Sequence, residues 1–153
     1  MPSPTAISIA ALLTSIAGLA LSSYIVWRDR ARVLARSYAM SHEESGEYSS
    51  VLVKIANAGR RPVTLVYLWG IYEDQSRGGR RLADGGKKLE EGEMHETQFG
   101  KFDGMMVNGD DMSDLVDLFL EDSAGRRYKI KHARKNVAAV RKSQHPFGMR
   151  THG

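Results

Sequence analysis

Residues 5–27, TAISIAALLTSIAGLALSSYIVW, run for 23 positions without a charged side chain and are followed at once by RDRAR. Coiled as a helix, such a run is about 35 Å long at about 1.5 Å per residue. About 20 apolar residues suffice to cross the hydrocarbon core of a bilayer. A cleaved secretory signal is the first alternative, and it would place Lys or Arg ahead of an apolar stretch of about 7–15 residues. Met1-Pro2-Ser3-Pro4 carries no positive side chain, although Gly18-Leu19-Ala20 could pass for a small-residue cleavage site. A buried core helix is the second alternative, but a core helix rarely runs about six turns without one charge. The segment therefore reads as a retained transmembrane helix.

Its flanks set an orientation. Arg28, Arg30, Arg32 and Arg36 follow the span, and no Lys or Arg precedes it. The positive-inside rule then puts residues 1–4 outside and residues 28–153 in the cytoplasm. Tyr24 and Trp27 sit at the same end as Arg28, Arg30 and Arg32, where amphipathic rings favour the headgroup level. Ala6, Ala10, Thr14, Gly18 and Ser22 recur every fourth residue as a ridge of small side chains. Such ridges let helix backbones approach, which favours a homo-oligomer or a pairing with another helix. An Ala- and Ser-rich segment also produces such a ridge by chance.

The remainder of the chain is long enough for one domain. It has no cysteine, which excludes disulfides, thiol catalysis and Cys-based zinc sites. The net charge of +4 conceals a polarity along the chain: Asp103–Asp122 holds seven acids and no Lys or Arg, and residues 123–153 hold nine Lys or Arg and no acid. Blocks of this kind mark interaction surfaces, or else an acidic and a basic stretch facing one another.

The pattern after the span is that of β-structure. Residues 28–42 are basic and ambiguous between a continued helix and a first strand. Val51, Val53 and Ile55 share one face at period two, as in a half-buried strand. Asn57-Ala58-Gly59-Arg60-Arg61-Pro62 has turn chemistry. Residues 63–72, VTLVYLWGIY, are the densest β-branched and aromatic run. They are expected to form the central strand, with Trp69 as a core anchor. Residues 73–88, with Gly78-Gly79 and Gly85-Gly86, read as a mobile hairpin or loop, and a polar, edge-like segment begins at Lys88. Val116, Leu118 and Leu120 alternate with polar or outward residues, the turn Asp122-Ser123-Ala124-Gly125 follows, and residues 126–131 return. Strand is preferred over a helix capped by Ser113, because the turn and the return fit a hairpin. Residues 133–142 fit a short basic helix, and residues 143–153 read as disordered.

Through Val51–Leu65, with its Asn-Ala-Gly turn and Pro62-Val63 entry, and through the Asp122–Tyr128 hairpin, the chain resembles bacterial immunoglobulin-like β-sandwich modules over residues 32–131. The resemblance is one of turns and lacks the disulfide of antibody domains. It implies a mainly β fold, a β-sandwich domain over 43–131 behind the membrane helix, and a role in binding or spacing other proteins.

Several motifs fall short of chemistry. His95-Glu96-Thr97-Gln98-Phe99 begins like a zinc-protease helix, with Phe99 where a second His is required. Asp84-Gly85-Gly86-Lys87-Lys88 approximates a phosphate loop, with Arg81 and Lys88 at positions that need Gly and Ser or Thr. Residues 103–111 are acidic and Gly-rich without the register of a calcium loop. His42, His95 and the carboxylates have no spacing that unites them. No catalytic residue, metal or cofactor is expected.

Arg126, Arg127, Lys129, Lys131, Arg134, Lys135, Arg141 and Lys142 form the best remaining feature, a basic C-terminal stretch suited to polyanions. Membrane lipid is favoured over nucleic acid, because a tethered tail already lies beside an anionic leaflet. The reading is a single-pass protein of a bacterial inner membrane, N-out and C-in. It is expected to act as a non-enzymatic adaptor or assembly protein for a partner the sequence does not identify. Two alternatives differ in class: a phage- or envelope-type lysis or pore-forming protein acting through an oligomerising helix, and a membrane-tethered nucleic-acid binder.

Overall fold

The structure is a computed structural model, and it describes residues 3–41, 46–100, 102–108 and 113–143. His42 and residues 144–153 lie outside these, as do Asp110 and Asp111 of the acidic loop.

Helix α1 spans Pro4–Arg28, one residue longer at each end than the apolar run. Ser3 caps it, its hydroxyl accepting from the Ala6 amide at 3.4 Å, and Pro4 occupies the first turn, where a missing N–H costs nothing. Every residue of α1 is exposed. Leu, Ile and Val side chains lie on all sides of it, so no single stripe could dock on a soluble core. Four hydroxyls, those of Ser8, Thr14, Ser15 and Ser22, donate to carbonyls one turn back, Thr14 to Ala10 at 2.9 Å and Ser22 to Gly18 at 2.8 Å. That arrangement suits hydrocarbon, where a polar group finds no water. One helix of this protein is thus long and apolar enough to span a membrane.

The rest is mainly β. Strands β1 (Val33–Ser41), β2 (Tyr48–Asn57), β3 (Val63–Tyr72), β4 (Arg77–Arg81), β5 (Lys87–Leu89), β6 (Met94–Gly100), β7 (Val107–Asn108), β8 (Ser113–Asp122) and β9 (Arg127–Lys131) precede helix α2 (Ala133–Lys142). They form one sheet in the order β4-β3-β8-β9-β1-β2-β6, with β5 also on β3 and β7 on β8. The sheet curls into a half-barrel. All pairings are antiparallel except β1 with β9, which sets Ala35 opposite Ile130 and Arg36 opposite Lys131.

The inner face carries the core. Val51, Val53 and Ile55 of β2 are fully buried with Leu65, Leu68, Leu89, Leu120 and, from α2, Val137 and Val140. Helix α2 presents Ala133, Val137 and Val140 on one stripe to this core. Buried Ser37 ties α2 to the sheet: its hydroxyl donates to the Lys131 carbonyl at 3.2 Å, and the Asn136 amide donates to the Ser37 carbonyl at 2.8 Å. Burial of Ser37 is tolerable because its polar atoms are paired.

Two open readings are settled and three expectations change. Residues 33–41 are a strand and do not extend α1. β3 is interior but not central; the short β9 holds the middle of the order, because it alone joins both halves of the sheet. Register shifts in the β3–β8 pairing, between Leu65 and Tyr67 and again between Ile71 and Tyr72, change which residues face inward. Leu115 is therefore buried in place of Val116, and Trp69 turns to the outer face, away from the core. Of the two readings of the Gly-rich segment the hairpin holds, since β4 pairs back onto β3 over Arg77–Arg81. Its glycines serve packing, since a Cβ on Gly79 would lie 2.9 Å from the Trp69 ring and one on Gly78 2.9 Å from the Tyr72 hydroxyl.

Candidate functional site

Four residues, Asp29–Arg32, separate α1 from β1, and the β2–β3 turn fastens them. The Ala58 amide donates to the Arg32 carbonyl at 2.7 Å. Fully buried Asn57 organises the turn: its side-chain oxygen accepts from the Gly59 amide at 3.0 Å, and its Nδ2 donates to the carbonyls of Arg61 at 2.8 Å and Leu89 at 3.1 Å. Helix α1 is therefore tied to the β-domain by hydrogen-bonded backbone. At its exit Trp27 and Tyr24 are exposed, and the Arg28 guanidinium lies 5.9 Å from the Tyr24 ring centre.

A second region is the outer face of β9-β1-β2-β6. Register stacks three rungs on it: Leu34–Ala56–Met94, Arg36–Lys54–Glu96 and Tyr38–Leu52–Gln98. Lys54 pairs with Glu96 at 2.7 Å, and that hydrogen bond holds its ammonium above the usual lysine range. Lys129 and Lys131 flank the first two rungs from β9, and with Leu34, Arg36, Lys54 and Met94 they line a shallow groove of about 360 Å³. Outside α1, the exposed large apolar side chains among the described residues are Leu34, Tyr38, Met40, Tyr48, Met94 and Phe102. Leu34, Tyr38, Met40 and Met94 belong to this face, and Tyr48 shares a neighbouring cleft with Tyr38. Strand β6 ends the sheet order, so its far edge has no paired strand among the described residues.

The outer face of β3–β8 holds an aromatic row. Trp69 stacks on Phe119 with ring centres 6.3 Å apart and meets Tyr67 at 5.3 Å. Arg81 covers the Tyr67 end at 5.7 Å and Arg127 the Phe119 end at 5.3 Å. The row packs against itself and against Gly79, and the Trp69 indole Nε1 is buried without a hydrogen-bond acceptor.

The basic residues singled out in the sequence do not form one surface. Arg134 pairs with Asp117 at 2.7 Å, Arg141 with Glu73 at 2.6 Å and Asp114 at 3.8 Å, and Arg127 with Glu121 at 3.7 Å. The acidic and basic stretches thus face each other across β8, β9 and α2. Lys129 and Lys131 flank the outer groove, Lys135 and Lys142 are exposed on α2, and Arg126 lies at the α1 end of the domain. Along α1, Ala6, Ala10, Thr14, Gly18 and Ser22 are all exposed, and a Cβ on Gly18 would meet nothing within 4 Å.

The near-motifs acquire structural roles. His95 stands on β6 beside Ile55, and burial, then Lys87, hold its imidazole below the usual histidine range. Lys87 pairs with Glu93 at 3.4 Å and Lys88 with Glu90 at 2.6 Å, which engages the cations of the loop at Gly85-Gly86. Asp103 pairs with Arg80 at 2.7 Å. Among the described residues no group of three or more His, Asp or Glu side chains is placed to hold a metal.

No family model matches the chain, and no curated protein matches it. One solved structure, titled "X-ray structure of Northeast Structural Genomics Consortium target SoR45", aligns over 67% of this chain and 82% of its own at 10% identity with a TM-score of 0.31. At that score the likeness carries no argument about fold or function.

Proposed function

We propose that the protein is a membrane-anchored, non-enzymatic binding subunit that holds its β-domain against the cytoplasmic face of a bacterial inner membrane. On this reading α1 crosses the bilayer N-out, and the two halves of the curled sheet act as the layers of the immunoglobulin-like module expected from the sequence. The observation that carries the proposal is the outer face of β1, β2 and β6. It gathers most of the domain's exposed large apolar side chains beside an open strand edge. Exposed apolar patches next to unpaired backbone are sites where another chain adds a strand. The partner is a protein segment that extends along β6 and covers Met94 and Leu34. Acidic residues in it would meet Arg36, Lys129 and Lys131.

The test is photo-crosslinking in cells, with a photoreactive residue in place of Met94 and, as the control, in place of Arg77 on the opposite edge strand. A discrete crosslinked protein from position 94 and none from position 77 is expected. Identical patterns from both positions, or none from position 94, would overturn the proposal.

A further inference from the structure

The fold brings together arginines that are far apart in sequence at the point where α1 leaves the domain. Arg30 comes from the linker, Arg61 from the β2–β3 turn and Arg126 from the β8–β9 turn. With Val26 of α1 they line a cleft of about 550 Å³. Arg32 and Arg60 are exposed nearby in the same segments. Among the described residues none of these five makes an ion pair.

Two carboxylates lie near. Asp29 is 3.6 Å from Arg28. Asp122, at the cleft wall, is 7% exposed and bonded within its own turn and hairpin: Oδ1 accepts from the amides of Ala124 and Arg126 at 2.9 and 2.8 Å, and Oδ2 accepts from the Tyr128 hydroxyl at 2.7 Å. Three arginines therefore line a cleft whose one carboxylate is bonded internally, and the Arg126 side chain also bonds the Tyr128 hydroxyl. Guanidinium forks match phosphate oxygens, and here they are held by turns that Asn57 and Asp122 fix in place. The cleft also begins at Val26, one residue before Trp27, the level at which a spanning helix meets headgroups.

We propose that this cleft binds the phosphate of an anionic phospholipid in the leaflet from which α1 emerges. The inference rests on the membrane-anchored reading above and goes beyond it. It moves polyanion recognition from the C-terminal stretch to the helix exit, and adds Arg30 and Arg61 to the residues that carry it. Lipid bound there would fix the tilt and distance of the domain relative to the bilayer, and so the height at which the β6 edge is presented.

The test uses the full-length protein in mixed micelles of equimolar phosphatidylglycerol and phosphatidylcholine, with retained lipid counted by native mass spectrometry. Wild-type protein should retain phosphatidylglycerol preferentially. Arg61→Gln with Arg126→Gln should cut that preference roughly thirtyfold, since each basic residue near an anionic surface contributes about 1 kcal/mol. Arg77→Gln with Arg81→Gln, the same change in net charge on β4, should leave it intact. Equal losses in the two double variants, or no preference in the wild type, would overturn the proposal. So would displacement of the lipid by glycerol phosphate, because a soluble phosphate would then be the ligand. Resistance to carbonate extraction from phosphatidylcholine vesicles is measured alongside, so that failure of the anchor is seen separately from failure of the cleft.

Discussion

A Cβ on Gly59 would overlap the carbonyl oxygen of Arg30, two residues past the end of α1. It would also meet the Arg32 amide nitrogen, and it would lie 2.8 Å from the Ala31 carbonyl carbon. The turn after β2 is thus pressed against the linker that enters β1, with no room for a side chain between them. The contact is backbone on backbone, so rotamer changes cannot relieve it.

Gly59→Ala should therefore lower the melting temperature of the detergent-solubilised protein by several degrees, with a cost of about 1–3 kcal/mol for forced overlap. Gly104→Ala, where a Cβ meets nothing within 4 Å, should be nearly neutral. Differential scanning fluorimetry compares the two.

Asn57→Ala leaves three hydrogen-bonding groups of the junction without their side-chain partner: the Gly59 amide and the carbonyls of Arg61 and Leu89. An unsatisfied buried group costs about 1–3 kcal/mol. Thermal melting should show this loss as a fall larger than that of Gly104→Ala, and proteolysis should first cut near the 57–62 turn.

Burial, then the hydrogen bond to Asp122, pushes the Tyr128 phenol up to about 12. The neutral phenol is the form the fold holds, so its contribution to stability is full below the unfolded value of about 10. It is lost as pH rises from there through the folded value. Ultraviolet titration should show one tyrosine ionising last, and Tyr128→Phe should remove that step. A Tyr128 that titrates with the exposed tyrosines would refute the arrangement.

Retention on a heparin column should depend on Lys129 and Lys131 more than on Arg134 and Arg141. The first pair is exposed with no ion pair among the described residues, and the second pair is engaged by Asp117, Glu73 and Asp114. Replacing Lys129 and Lys131 with Ala should move elution to lower salt than replacing Arg134 and Arg141. Loss of the exposed Arg134 or Arg141 pairs should cost stability less than about 1 kcal/mol each.

What the sequence revealed and what it hid follow from the range of the interactions. Helix α1 is legible because length and absence of charge are local properties. The inward set Val51, Val53 and Ile55 is legible because period two holds through β2 without interruption. The places of Val116 and Trp69 are not legible, because the irregularities in the β3–β8 register depend on a partner strand that no window of sequence contains. β4 is half legible, because Gly78 and Gly79 suggest a loop as readily as a hairpin when read alone, and their lack of a side chain makes room for Tyr72 and Trp69 in the fold. The basic stretch 126–142 looked like one surface because pairing with Asp114, Asp117 and Glu73 arises only once β3, β8 and α2 are side by side. The arginine cleft is invisible as a unit, since Arg30, Arg61 and Arg126 meet only through the α1–β1 linker and two separate turns.

The central claim is that α1 crosses a bilayer and leaves the β-domain in the cytoplasm, and the absence of native cysteine makes it directly measurable. Ser3→Cys and Asp84→Cys, made separately, are exposed in spheroplasts to a membrane-impermeant maleimide before and after lysis. The account predicts that position 3 is labelled in intact spheroplasts and position 84 only after lysis. Labelling of position 84 in intact spheroplasts would contradict it.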